Sequence, residues 1–136
     1  MELTARSTLQ IIIVMLGGFL GYFIGPLDSM LGVLIVFVIC DYITGVLCGI
    51  ADKKLSSTVG FKGIAKKVTI FMMVGIANML DVYILHTNPV LRTATIFFYI
   101  SNEGISLLEN SGRLGVKYPQ KLKDILEQLK KEDKDE

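Results

Sequence analysis

Apolar residues are gathered along this chain into four long runs. The first covers about residues 9–25 and reads LQIIIVMLGGFLGYFIG, and the second covers 30–51 and reads MLGVLIVFVICDYITGVLCGIA. The third covers about 68–85, and the fourth, about 90–108, is the weakest because Arg92, Asn102, Glu103 and Ser106 interrupt it. Helix-stopping residues separate the runs, Pro26-Leu27-Asp28-Ser29 after the first and His86-Thr87-Asn88-Pro89 after the third. A hydrocarbon core about 30 Å thick takes roughly 20 apolar residues at ~1.5 Å rise each. The pattern therefore predicts an all-α integral membrane protein with about four transmembrane helices, three being the alternative. Residues 1–112 form the transmembrane domain and 113–136 a charged tail. Within the tail Leu122, Ile125, Leu126 and Leu129 recur at i, i+3, i+4 and i+7, with Lys123–Glu127 and Glu127–Lys131 as i,i+4 pairs. This predicts a short amphipathic C-terminal helix.

Charge gives the expected orientation. The stretch 52–67 carries Lys53, Lys54, Lys62, Lys66 and Lys67 against Asp52 alone, while the turns 26–29 and 86–89 carry no Lys or Arg. The positive-inside bias then makes 52–67 a cytoplasmic basic loop, and four crossings put both termini in the cytoplasm. The N-terminus has Arg6 ahead of its apolar run, but Glu2 dilutes the positive region and no A-x-A-like site follows, so an uncleaved first span is expected.

Composition agrees with the class: 51% of the 136 residues are hydrophobic and mean hydropathy is +0.55. Net charge is +1, which offers no global field for nucleic acid. From Arg113 onward seven basic residues face six acidic ones, so the tail is not a polybasic lipid-binding arm. Cys40 and Cys48 stand eight residues apart on one predicted helix, about 12 Å along its axis, and read as small apolar fillers.

Polar residues inside the runs are the candidate functional groups, because charge and amide groups at membrane depth are costly. Asp41 with Thr44 lies in the second run, Asn78 near the middle of the third, and Asn102 and Glu103 just past the middle of the fourth. No basic residue is expected at that depth to neutralise Asp41 or Glu103. Asn102, Glu103, Ser106, Glu109 and Asn110 recur at helical spacing, one polar stripe on an otherwise apolar helix. These groups either line a lumen or hold helices together. Asp81 and Arg92 face each other across a tight turn and are expected to staple that hairpin. Gly17, Gly21 and Gly25 form one small-residue stripe and Gly45 with Gly49 a second, the spacing at which helices pack closely in lipid. There is no H-E-x-x-H, paired C-x-x-C, phosphate-cradling glycine loop or Ser/His/Asp set, and His86 is the lone histidine. No enzyme, metal site or cofactor is expected.

The order Asp41-x-x-Thr44-Gly45, Lys54-Leu55-Ser56-Ser57, Gly63-Ile64-Ala65-Lys66-Lys67, Asp81, then Asn102-Glu103-x-Ile105-Ser106-x-x-Glu109-Asn110 and Leu114-Gly115-x-x-x-Pro119 resembles the toxin-secretion and phage-lysis holin family. The resemblance spans about 32–119. That family includes phage holins of Gram-positive hosts and a clostridial toxin-release protein. It implies a homo-oligomer in the bacterial cytoplasmic membrane, with lipid and its own copies as partners. The lesion it forms would release an endolysin or large toxin without binding it stably. Family members are often drawn with three spans. The residues alone leave two other functions open, a small ion channel or proton-coupled carrier using Asp41 and Glu103, and a non-conducting adaptor that docks a partner through its tail. No internal repeat supports the carrier.

Overall fold

The computed structural model describes residues 1–132, which form five α-helices and no strand. The end of the charged tail, 133–136, lies outside the described residues. Helix α1 is Glu2–Ile24, α2 Ser29–Ala51, α3 Ser57–Met79, α4 Val90–Arg113 and α5 Gln120–Glu132. A π-helical turn, Leu80–Ile84, continues α3.

Local chemistry sets the helix ends. Helix α1 stops at Gly25, whose φ of 90° suits a residue without Cβ, followed by Pro26. The Asp28 carboxylate accepts the Leu31 N–H (2.9 Å) and starts α2, and the Ser56 hydroxyl accepts the Val59 N–H (3.2 Å) and starts α3. For α4 the cap comes from elsewhere in the chain. Asp81, in the π-helical turn, accepts the N–H groups of Leu91 (3.1 Å) and Arg92 (2.8 Å).

The start of α3 corrects the sequence reading. The basic stretch is a loop only as far as Ser56, and Lys62, Lys66 and Lys67 stand on the first three turns of α3. Three helices are long and apolar enough to cross a membrane: α1, α2, and α3 with its π-helical extension. Helix α4 falls short of that apolarity, as its interrupted sequence foreshadows.

Helices α2, α3 and α4 make the core. Leu31, Leu34 and Val38 of α2, Ile70 and Val74 of α3, and Ile96 and Ile100 of α4 are buried together. Leu34, Val74 and Ile96 have no exposed surface at all. In lipid such burial supplies van der Waals packing rather than escape from water, so polar contacts carry a larger share of the helix association. Helix α1 buries none of its residues. It touches the bundle at its last turn, where the Phe23 ring fills the space a side chain at Gly75 would need and the rings of Tyr22 and Tyr83 lie 5.1 Å apart. Helix α5 turns back along α4, with the Leu126 methyl groups and the Phe37 ring of α2 against Gly104.

Candidate functional site

The same face of each bundle helix carries a polar group, then apolar residues, then another polar group. On α2 with its N-terminal cap the order is Asp28, Leu31, Leu34, Val38, Asp41; on α4 it is Arg92, Ile96, Ile100, Glu103. Two polar clusters therefore cap the apolar core. Arg92 and Glu103 are eleven residues apart, about 17 Å of helix, so the clusters are closer together than the thickness of a hydrocarbon core.

At one end the Lys67 Nζ of α3 donates to both Asp41 Oδ2 of α2 and Glu103 Oε2 of α4. This overturns the expectation that Asp41 and Glu103 have no cation at their depth. The lysine was hidden by starting the third helix after it. All three side chains are largely buried, 8% exposed for Asp41, 10% for Glu103 and 16% for Lys67. Asn110 of α4 completes the cluster, donating from Nδ2 to Asp41 Oδ1 (3.0 Å) and Thr44 Oγ1 (3.1 Å). Cys48, read as a filler, donates from Sγ to the Asn110 carbonyl (3.4 Å). One lysine thus serves two carboxylates on two other helices, and the cluster holds one more acid than base. On one side of it a 430 Å³ cleft opens between α3 and α4, lined by Asn102, Ser106 and Thr69 among others. On the other side a 260 Å³ cleft lies between α2 and α3, with Gly45, Gly49, Gly60 and Gly63 in its lining. The Asp41–Lys67–Glu103 bridge borders both.

At the other end Arg92, 2% exposed, makes the junction of four chain segments. Its Nε donates to the Ile24 carbonyl (2.8 Å), its NH2 to the Pro26 carbonyl (2.7 Å) and its NH1 to Asp28 Oδ2 (2.7 Å). Asp81 and Arg92 do meet, but through the Arg92 backbone N–H; the guanidinium turns to Asp28 instead. Asn78 also belongs here. Its Nδ2 donates to the Phe23 carbonyl (3.0 Å), so it ties α1 to α3 and lies far from Asp41 and Glu103, contrary to the depth expected of it. The shift follows from the early start of α3, which leaves Asn78 near that helix's far end. Burial works against the Asp28 carboxylate, but the Leu31 N–H and the Arg92 guanidinium outweigh it and hold its pKa below the ordinary value.

The remaining expected residues divide. Ser106 and Asn102 line the α3–α4 cleft, whereas Glu109 is exposed and takes no part in the cluster. Nothing lies within 4 Å of where a Cβ on Gly17 or Gly21 would sit, so that stripe has no partner within the chain. Gly25 is not part of it, since it lies past the helix end against Arg92 and Asn78. Gly49 packs on Leu55 and Gly45 approaches Asn110. Lys53, Lys54, Lys62 and Lys66 are exposed. Among the described residues no group of three His, Cys, Asp or Glu side chains is arranged to hold a metal ion.

Residues 18–131 match the bacteriophage holin family. The chain is 46% identical over 110 residues to an uncharacterised protein of Listeria monocytogenes, covering 81% of this chain and 78% of that one. It is 44% identical over 117 residues to a 14.9 kDa protein encoded beside nagH in Clostridium perfringens, with 86% and 89% covered. It is 41% identical over 96 residues to a probable holin of Bacillus phage phi105, with 71% and 70% covered. No solved structure matches. With a match reaching from α1 to α5 and these relatives beside it, the chain belongs to the bacteriophage holin family.

Proposed function

We propose that the chain is a holin that oligomerises in the bacterial cytoplasmic membrane and opens lesions through which an endolysin, or a large toxin, leaves the cell. The family match over residues 18–131 carries this reading. The unpartnered α1, with Gly17 and Gly21 facing open space, supports assembly through contacts between copies. The N-terminus and the C-terminal end of α4 face the cytoplasm in this proposal, since the exposed Lys53, Lys54, Lys62 and Lys66 gather at one end of the bundle. Helix α4 is then a fourth crossing, because it follows α2 from Asp28 to Cys48. Asp41 and Glu103 act through the Lys67 bridge, which joins three helices until the assembly rearranges.

The test is induction in a bacterial host with and without a cytoplasmic muralytic enzyme lacking a signal peptide, followed by culture turbidity. Abrupt lysis only when both are present is expected. Growth arrest with ion leakage but no enzyme escape would replace the proposal with a small channel. No effect at verified membrane expression would favour a non-conducting adaptor.

A further inference from the structure

Helix α5 carries Lys121, Lys123, Asp124, Glu127, Lys130 and Lys131, yet it does not stay beyond the end of the bundle. It runs back along α4. The Ser101 hydroxyl, fully buried, donates to the Leu126 carbonyl, and the Leu126 methyl groups rest on Gly104 beside the Phe37 ring. Phe37 lies fourteen residues before the end of α2 at Ala51, about 21 Å of helix. Leu126 therefore sits deep alongside a helix apolar enough to span a membrane. Only part of α5's apolar stripe faces α4, because Leu122 and Ile125 remain 48% and 47% exposed. A helix with seven charged residues in its sequence cannot lie at that depth against hydrocarbon, which offers them no solvation. Water must reach it there.

We infer that the face of the bundle formed by α4 and α5 is its wet side in the membrane, with α5 lying in the water-filled lumen of the assembly. Helix α1 and the exposed faces of α2 and α3 meet lipid or neighbouring copies. This inference rests on the proposed lesion-forming assembly and assigns its water-facing wall. It accounts for Ser101 and Gly104, small residues that let α5 approach the α4 backbone closely.

The full chain, carrying Cys40→Ser and Cys48→Ser, provides the background for two measurements in membranes open on both faces. The first introduces Ser101→Cys with Leu126→Cys and asks whether a disulfide forms, the same pair in detergent serving as the folding control. The second compares single variants Ile125→Cys and Val36→Cys, the latter beside Phe37 and 56% exposed on α2, using a charged, membrane-impermeant methanethiosulfonate. A cross-link in membranes, with labelling at 125 at least about tenfold faster than at 36, is expected, since thiolate formation needs water. A cross-link that forms in detergent but not in membranes would overturn the inference by showing α5 detached from α4. Equally slow labelling at 125 and 36 would overturn it too. Enzyme release is scored separately. Fast labelling without release discards the lesion reading alone, and release with slow labelling discards the wet face alone.

Discussion

Loss of Lys67 would strip two buried carboxylates of their shared cation at once. Lys67 is 16% exposed and the cation shared by Asp41 and Glu103, which are 8% and 10% exposed. Lys67→Met keeps most of the apolar stem but leaves two buried carboxylates facing each other with no counter-charge. Breaking a buried pair by removing one partner costs about 3–5 kcal/mol. Here two acids lose their partner at once, so the upper part of that range is expected. Removing one acid is a different perturbation. In Glu103→Gln, Lys67 keeps Asp41 and the cluster sheds its excess acid; in Asp41→Asn, Lys67 keeps Glu103. Each should cost less than Lys67→Met, no more than about 3 kcal/mol, the scale of one hydrogen bond to a charged group. In the triple variant Asp41→Asn, Lys67→Met, Glu103→Gln no charge remains, and most of the Lys67→Met loss should return, as replacing a whole buried ion pair is often neutral. The assay is reversible unfolding in mixed micelles by titration with a denaturing detergent, followed by circular dichroism. Lys67→Met within about 1 kcal/mol of the parent, or a triple variant no better than Lys67→Met, would refute the shared-cation account.

Other expectations concern the far end, α1 and timing. Gly75→Ala puts a Cβ 2.3 Å from the Phe23 ring and should cost about 1–3 kcal/mol by overpacking, seen as easier proteolysis around residue 25. Gly17→Leu with Gly21→Leu meets no atom within the chain, so unfolding of the monomer should not weaken while cross-linked oligomers in membranes decrease. Because the Asp28 pKa is lowered in the folded chain, its stabilisation is present above the unfolded value of about 3.9 and is lost only as pH falls through the folded value. The difference in cleavage at residues 25–29 between the parent and Asp28→Asn should then hold from neutral to mildly acidic pH and close in strong acid. Asp41→Asn, Asp41→Leu and Glu103→Gln should shift the onset of lysis without preventing membrane insertion, and unchanged onset in all three at matched expression would remove these carboxylates from the mechanism.

Much of the bundle was legible because bilayer thickness makes apolar run length informative, and the Pro26 and Pro89 turns mark their breaks. The Lys67 bridge was not. Hydropathy begins the third run at Val68, which discards about three turns of helix before it. Ser56 was the available signal, a hydroxyl ahead of an uninterrupted stretch that contains no proline until Pro89. Starting α3 there brings Lys67 into the helix and moves Asn78 toward its end. That the Arg92 guanidinium pairs with Asp28 rather than with Asp81 had no local signal, since Asp28 lies 64 residues away in the chain. Likewise the heptad-like pattern of 122–129 identifies an amphipathic helix but cannot say that Ser101 and Gly104 receive it.

The attachment of α1 by its last turn has a consequence for the order of events during synthesis. Its ties wait for Gly75, Asn78 and Arg92, and the bond from Arg92 to the Ile24 carbonyl closes over 68 residues. At roughly 5–20 residues per second the ribosome needs about 3–14 s to supply that last partner. For that interval the first helix must rest in the bilayer on its own apolarity. Its run of Leu, Ile, Val and Phe with no buried face is suited to such a wait.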